Sequence, residues 1–199
     1  IRDRFNSTER FHLEADVTKQ AYKVKETSLG DPNFVNFDLD EILSDKNIED
    51  ILNKINLNSC SDVGDLNIPA HPETIYLTVV DKDLNSVSII NSVCYVFGSG
   101  ITTNKSGILL HNRGTNFRVE HGHPNCIEGL KRPLHTIIPG MVIDKDNNAT
   151  LSYGVMGGQY QPVGQVHVLN NMIDYGMGPQ EALSFPRAFH FNNIYKLEK

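Results

Sequence analysis

The stretch that decides the fold is Thr74-Ile75-Tyr76-Leu77-Thr78-Val79-Val80-Asp81, which consists mostly of β-branched and aromatic residues. The polar turn Lys82-Asp83-Leu84-Asn85 follows, and then a long apolar run over residues 86–97. Two such runs across a short polar turn are typical of a β-hairpin. Both faces of these strands are largely apolar, so we expect the sheet to be covered on both sides.

Upstream of the hairpin, the sequence predicts two helices and a loop. Residues 9–27 follow helical spacing until Gly30-Asp31-Pro32 ends the pattern. Residues 45–57 show a clearer helical stripe, and Ser44 is the expected N-cap. The polar segment 58–73 is interpreted as an exposed loop because it contains glycine and proline.

Downstream of the hairpin, the pattern predicts further strands and two more helices. The expected strands cover residues 107–111, 136–143 and 149–154, and the expected helices cover residues 162–175 and the interval from Pro179 to Pro186. The order of helices, strands and helices favours a layered α+β domain.

Composition excludes several classes of protein. The chain has 199 residues, of which 39% are hydrophobic and 21% charged, so it is expected to fold rather than to be disordered. The net charge is −6 and the basic residues are scattered, so no nucleic-acid partner is expected. No apolar run is long enough to span a membrane. A homo-oligomer stays open.

The cysteines bear on the cellular compartment. Cys60, Cys94 and Cys126 are odd in number and far apart, so no disulfide framework is expected, and Cys94 fits a small core residue. This favours a reducing, cytoplasmic location. The chain begins without an initiator Met, so we expect the true N-terminus to lie upstream, and secretion stays open.

Several motifs together resemble the gamma-glutamyltransferase family, over roughly residues 9–190. They are Glu14-Ala15, Gly30-Asp31-Pro32-Asn33-Phe34, Glu73-Thr74 with the strand that follows, Phe97-Gly98-Ser99-Gly100, Gly107-Ile108-Leu109-Leu110, Lys131-Arg132-Pro133-Leu134, Gly154-Val155-Met156-Gly157-Gly158 and Ile173-Asp174-Tyr175-Gly176. Each motif is weak alone, and their order and spacing make the resemblance specific.

The resemblance implies a fold, a maturation step and missing partners. The fold is expected to be a four-layer αββα sandwich of the N-terminal-nucleophile hydrolase type, seen here as a partial chain. The precursor is expected to cut itself between Glu73 and Thr74. Residues 1–73 then form the end of the large subunit and residues 74–199 a part of the small subunit. The partners are the rest of both subunits and a small amide substrate, and no cofactor is required.

Thr74 is the nucleophile that the resemblance implies. A hydroxyl needs a nearby base, and a threonine at a chain terminus has one in its own α-amine. The reference pKa of an α-amine is about 8, against about 10.4 for lysine, so a useful fraction is neutral at pH 7. Without the family context, Thr74 is an ordinary β-branched strand residue.

Gly157 and Gly158 are the expected donors to the oxyanion. Their backbone N–H groups can approach a substrate closely because no Cβ intervenes. The alternative for a glycine pair between a strand and a helix is a simple tight turn.

The acyl pocket departs from the pattern of the transferases that act on glutathione. Ser92 stands for a threonine, Cys94 for an asparagine, Asn116 for an acidic residue, and His135-Thr136 for a pair of serines. These changes resemble a divergent branch of the family that contains Asn112-Arg113-Gly114. Ser92, Arg113, Asn116, His135 and Thr136 are the expected substrate-binding residues, and Arg113 either holds a substrate carboxylate or pairs with a structural acid.

The leading hypothesis is a γ-glutamyl amidohydrolase, and two alternatives stay open. One is an unprocessed, non-catalytic paralogue with a binding role, which the altered pocket favours. The other is an acylase of the cephalosporin-acylase type. No metal site is expected, since His121, His123 and Cys126 are interpreted as residues of a Gly/Pro loop.

Overall fold

The computed structural model describes residues 5–64, 72–191 and 194–199. The helices are α1 (Thr8–Ser28), α2 (Leu39–Ile42), α3 (Asp45–Leu52), α4 (Gln161–Ile173) and α5 (Pro179–Ser184). The strands are β1 (Pro72–Val80), β2 (Ser86–Tyr95), β3 (Gly140–Ile143), β4 (Ala149–Tyr153), β5 (Ala188–Phe191) and β6 (Ile194–Leu197). Short 3₁₀ turns cover Arg113–Asn116 and Gly158–Tyr160. The described residues are therefore mixed α+β.

The strands form three antiparallel pairs within the described residues: β1 with β2, β3 with β4, and β5 with β6. The chain divides into two compact units. The first unit consists of Ile1–Ile68, Asn116–Leu134 and Asn170–Lys199. The second unit consists of Pro69–Thr115 and His135–Leu169. None of the described helices is long and apolar enough to cross a membrane.

Helix α1 confirms the first predicted helix, but its buried face is polar. The hydroxyl of Ser7 caps it by accepting the N–H of Arg10 at 3.2 Å. Arg10 and Asp16 are almost fully buried, whereas the apolar Val17 is exposed. Arg10 donates to the Asn171 carboxamide at 2.7 Å. A hydrogen bond to a buried charged side chain offsets part of the free-energy cost of removing that side chain from water.

Asp16 is the second buried charge of this face. Its carboxylate accepts the hydroxyl of Ser61 at 2.7 Å and also the backbone N–H of Ser61. Lys19 lies 3.7 Å away on the same helix. The loop that follows α3 is thus fastened to α1 through a buried carboxylate.

Helix α3 confirms the predicted start and contradicts the predicted end. Ser44 caps it by accepting the N–H of Asn47 at 3.2 Å. The helix ends at Leu52 instead of residue 57, and the chain continues in tighter turns, in which the N–H groups of Lys54 and Ile55 donate to the carbonyls three residues earlier. Helix α2 was not predicted. The predicted loop 58–73 includes residues 65–71, which lie outside the described part of the chain, and its predicted end is wrong because β1 already begins at Pro72.

The β1–β2 hairpin is present as predicted, and its turn is held by Asp81. The Asp81 carboxylate accepts the Asn85 carboxamide at 2.8 Å and the backbone N–H groups of Asn85 and Asp83, each at 2.9 Å, and these bonds lower the Asp81 pKa. One face of the hairpin is apolar and exposed within the described residues. The prediction that both faces of the sheet are covered is therefore not met by the described part of the chain. The members of the exposed face are Ile75, Leu77, Val79, Val87 and Ile89, with exposed fractions of 43 to 56%.

The remaining strand predictions were right in part. Strand β4 is present, but β3 begins only at Gly140, and residues 107–111 contribute a single bridge between Thr102 and Leu109. Gly107 has a φ of +67° and its N–H bonds back to the Thr103 carbonyl, which turns the chain before a strand can form.

The C-terminal helices are present as predicted, and a hairpin follows them that was not. Gly176, with a φ of +67°, follows α4, and α5 occupies the predicted interval. The β5–β6 pair packs on α1, and the Tyr195 hydroxyl donates to the Phe11 carbonyl at 3.0 Å.

Candidate active site

Thr74 lies at an irregularity of the β1–β2 pair. The paired residues on either side are Glu73 with Cys94 and Ile75 with Asn91. Two residues of β2, Ser92 and Val93, therefore face the single residue Thr74. A β-bulge of this kind locally breaks the ladder and re-aims side chains, and bulges are frequent next to active sites.

The Ser92 hydroxyl is the polar partner of Thr74. Thr74 Oγ1 donates to Ser92 Oγ across 3.4 Å, which is long for a hydrogen bond between hydroxyls. The backbone N–H of Cys94 donates to the same oxygen at 2.9 Å. Ser92 Oγ is thereby held beside Thr74, and both residues are half-buried.

Cys94 is part of the same bulged turn. It is 2% exposed, in agreement with the expected core position, and its φ of +82° is uncommon for a residue with a side chain. It stands where the resemblance places an asparagine, and a buried thiol makes a poor partner for a substrate carboxylate or amine.

Gly157 and Gly158 lie on the loop between β4 and α4. Their φ angles are +132° and +54°, which residues with side chains rarely adopt. The carbonyl of Gly157 accepts the N–H of Tyr160 at 3.0 Å, and the 3₁₀ turn that begins at Gly158 packs against β1. The glycine pair thus belongs to a defined turn beside the strand that carries Thr74.

Arg113 is fixed near the bulged end of β2 through its neighbour Asn112. The Asn112 carboxamide accepts the N–H of Tyr95 at 3.1 Å, and its own N–H donates to the Val93 carbonyl at 3.2 Å. Arg113 is 7% exposed, and its Nη2 has no hydrogen-bond partner among the described residues. A buried guanidinium with a free donor favours an anionic ligand.

No hydrogen bond within the described residues joins the other predicted pocket residues to Thr74. Asn116 belongs to the first unit, where its carboxamide donates to the Leu134 carbonyl at 3.1 Å. Thr136 is buried and His135 is exposed, both in the second unit. The Thr78 hydroxyl lies 3.0 Å from the Val87 carbonyl oxygen and 2.8 Å from Ser152 Oγ, which is a structural use. The roles of Asn116, His135 and Thr136 in substrate binding stay predictions.

Sequence reasoning missed two residues of the second unit. Gln161 is fully buried, and neither atom of its carboxamide has a partner among the described residues. It follows the glycine pair at the start of α4, where no sequence signal marks burial. Tyr76, two positions after Thr74, bonds to two serine hydroxyls. Its place in an apolar strand hides this role.

Hydrogen bonds and ion pairs hold the loop that contains His121, His123 and Cys126. His123 Nδ1 accepts the N–H of Asn125 at 3.0 Å, and its Nε2 lies 3.9 Å from the Glu26 carboxylate. Lys25 and Arg118 ion pairs lower the Glu26 pKa despite its partial burial, which acts in the opposite direction. Within the described residues, no three His, Cys, Asp or Glu side chains are grouped as metal ligands.

A cavity of about 520 Å³ lies elsewhere, in the first unit. Its polar lining includes His12, Asp16, Lys19, Cys60 and His190. Burial lowers the pKa of His190, and Lys19 adds to this effect. None of the predicted site residues lines this cavity, so we do not identify it with the active site.

The bulged strand, the paired hydroxyls and the glycine turn form the candidate site. The chain belongs to the gamma-glutamyltranspeptidase family, since the family model matches residues 2–199. It is 36% identical to a glutathione hydrolase-like proenzyme of Bacillus subtilis over 91% of this chain, and 32% identical to the glutathione hydrolase proenzyme of Escherichia coli over 94%.

A solved structure extends the similarity to the fold. The cephalosporin acylase of Bacillus halodurans superposes with a TM-score of 0.80 at 32% identity over 94% of this chain. In each of these three comparisons the chain spans 34% of the other protein. The match therefore covers about a third of the length of these relatives.

Proposed function

We propose that the full-length protein is a gamma-glutamyltransferase-like amidohydrolase that cleaves a γ-glutamyl or related amide through an acyl-enzyme on Thr74. The observation that carries this proposal is the hydroxyl pair of Thr74 and Ser92 at the β-bulge. A nucleophile and an oriented partner within reach of each other are the starting requirement for covalent catalysis.

Maturation would use the same hydroxyl on the chain's own backbone. Thr74 Oγ1 attacks the carbonyl carbon of Glu73, the C–N bond breaks, and the hydroxyl proton ends on the nitrogen that becomes the α-amine. Water then hydrolyses the resulting ester and releases Glu73 as a carboxylate. Ser92 orients the hydroxyl in this step, and the bulge interrupts the ladder at this bond.

Turnover would follow the same order of events on a substrate amide. Thr74 Oγ1 attacks the substrate carbonyl, and its proton passes to the free α-amine and from there to the leaving amine as the C–N bond breaks. Gly157 and Gly158 donate N–H groups to the oxyanion. Losing one such donor typically costs about 10²–10³ in kcat. Water, or an acceptor amine in transfer, then resolves the ester. No cofactor enters these steps.

Arg113 is the proposed partner of a substrate carboxylate. Its guanidinium is buried, has an unpaired nitrogen and follows Asn112, which is bonded to the end of β2 next to Ser92 and Cys94. His135, Thr136 and Asn116 are proposed as further pocket residues. Because Asn116 is neutral, we expect it to bind a substrate α-amine only weakly.

The complete fold is proposed to be an αββα sandwich to which this chain contributes a part. The exposed apolar face of the β1–β2 hairpin supports this, because exposed faces of this kind are normally covered in a folded protein. The rest of the large and small subunits would supply the cover. A cytoplasmic location remains part of the proposal.

An acylase of the cephalosporin-acylase type is the second candidate. The superposition on such an enzyme favours it, as does the neutral side chain at Asn116. A glutaryl group carries the carboxylate that Arg113 would bind and lacks the α-amine that an acidic residue would hold. The two candidates share the nucleophile and differ in the acyl group.

Two measurements test the proposal on full-length protein. Intact mass is expected to show a subunit that begins at Thr74, whereas one uncut species after prolonged incubation would indicate a non-catalytic paralogue. Release of 4-nitroaniline from its γ-glutamyl amide is then compared with release from its glutaryl amide. Faster release from the first supports the leading proposal, and faster release from the second supports the acylase. Release from neither would overturn both.

A further inference from the structure

Tyr76 connects three strands of the second unit through its hydroxyl. The phenol oxygen lies 3.2 Å from Ser88 Oγ on β2 and 2.9 Å from Ser152 Oγ on β4. Ser88 itself donates to the Gly140 carbonyl at 3.0 Å, so it can accept the phenol proton. Hydrogen bonds to Ser88 and Ser152 thus fix the position of the Tyr76 hydroxyl.

The ring of Tyr76 covers the backbone of Gly154. A Cβ added to Gly154 would lie 2.3 Å from Tyr76 Cδ2 and 2.5 Å from its Cε2, so a hydrogen is all that fits. Gly154 directly follows β4 and opens the loop that leads to Gly157 and Gly158. A glycine at such a place marks a close approach to the backbone.

We propose that Tyr76 is a positioning residue that fixes the loop of Gly157 and Gly158 relative to the strand of Thr74. The inference rests on the proposed function, because it concerns the distance between the nucleophile and the oxyanion donors. Tyr76 is two residues from Thr74 on β1 and contacts the first residue of the loop. A misplacement of about 1 Å between reacting groups can cost about 10²-fold in rate.

Self-cleavage and turnover should respond differently to a shift of this loop. Self-cleavage takes place at the bulge, where Thr74, Ser92 and the Glu73 carbonyl come from the hairpin itself. Turnover also needs the glycine donors. A displaced loop should therefore lower kcat and spare the appearance of the subunit that begins at Thr74.

The test introduces Gly154→Ala into the full-length protein, with the γ-glutamyl or glutaryl 4-nitroanilide that the unaltered enzyme prefers. We expect kcat to fall about 10²-fold with KM nearly unchanged and self-cleavage retained. The double variant Tyr76→Ala/Gly154→Ala removes the overlap and also the ring that fixes the loop, so kcat should stay as low as in Gly154→Ala. Tyr76→Phe keeps the ring and should retain most of the activity.

Gly30→Ala is the matched control. Its Cβ would lie 2.5 Å from the Pro124 carbonyl oxygen, a similar overlap in the first unit, which holds neither Thr74 nor the glycine pair. It should lower the melting temperature and leave kcat of the folded fraction unchanged. An unchanged kcat in Gly154→Ala, or an equal loss in Gly30→Ala, would overturn the positioning role.

The test also covers a Gly154→Ala variant that does not fold and an unaltered protein that is inactive. If Gly154→Ala does not accumulate as folded protein, Tyr76→Leu replaces it, since it withdraws the ring from Gly154, and the same split between kcat and self-cleavage is expected. Loss of self-cleavage together with kcat in that variant would contradict the proposal. If the unaltered protein neither cleaves itself nor releases nitroaniline, the proposed function fails, and the positioning role falls with it.

Discussion

Ser92 Oγ lies 3.4 Å from Thr74 Oγ1 and also accepts the backbone N–H of Cys94 at 2.9 Å. The hydroxyl that would orient the nucleophile is thus itself oriented by the backbone of the β-bulge. This relationship makes Ser92 the most direct partner of Thr74 to test.

Ser92→Ala should slow both self-cleavage and turnover roughly tenfold to a hundredfold. The change removes one hydrogen bond to the reacting hydroxyl and leaves the Cys94 N–H unpaired, and each loss is on the order of 1 kcal/mol or more. The measurement is the rate at which the subunit beginning at Thr74 appears, followed by kcat of the fully cut enzyme.

Ser92→Thr is the control, because it keeps the hydroxyl and should retain most of both rates. Wild-type rates in Ser92→Ala would show that the bulge hydroxyl takes no part. A loss in Ser92→Thr equal to that in Ser92→Ala would point to packing instead.

Arg113→Met should raise KM for substrates with a free α-carboxylate by about tenfold to a hundredfold. A charge-assisted hydrogen bond to such a group contributes roughly 1.5–3 kcal/mol, and methionine approximates the length of the side chain without its charge. The assay compares γ-glutamyl-4-nitroanilide with 4-aminobutyryl-4-nitroanilide, which lacks the α-carboxylate.

The second substrate is the internal control for Arg113→Met and should lose little. An equal rise of KM for both substrates would argue that Arg113 pairs with a structural acid. Arg118→Met tests the general effect of losing an arginine, since the partner of Arg118 is Glu26 in the first unit.

The structure explains why the sequence predicts the elements better than their packing. The limits of α1 follow from a capping serine and from Gly30-Asp31-Pro32, which are local signals. Its buried residues Arg10 and Asp16 are satisfied by Asn171 and Ser61, which are 161 and 45 positions away. No local pattern in the sequence reveals such distant partners.

In the candidate site, too, the residues could be predicted and their arrangement could not. Thr74 and the glycine pair could be named because the resemblance marks them. The bulge that sets Ser92 and Val93 against Thr74 depends on strand register, which alternation alone does not specify. Strands β5 and β6 were missed because four residues each are too few for a periodic signal.

Asp31→Asn should destabilise the protein at neutral pH, and the difference from wild type should shrink under acid conditions. Hydrogen bonds from Arg132 lower the Asp31 pKa below its usual value of about 4. Because the folded pKa is depressed, the stabilisation is present above the unfolded pKa and is lost as pH falls through the folded one.

Urea unfolding from pH 7 downward measures this effect, and Asp83→Asn is the control because Asp83 is exposed in the hairpin turn. The control should change stability by no more than about 0.5 kcal/mol. A difference for Asp31→Asn that stays constant below about pH 4 would contradict the assigned ion pair.

Intact mass and amide turnover of Thr74→Ala, beside Thr74→Ser and the unaltered full-length protein, test the central claim most directly. The account predicts that the unaltered protein divides before residue 74 and releases amine. It also predicts that Thr74→Ser does both more slowly, and that Thr74→Ala stays whole and inactive. Undiminished amine release by Thr74→Ala would contradict the account.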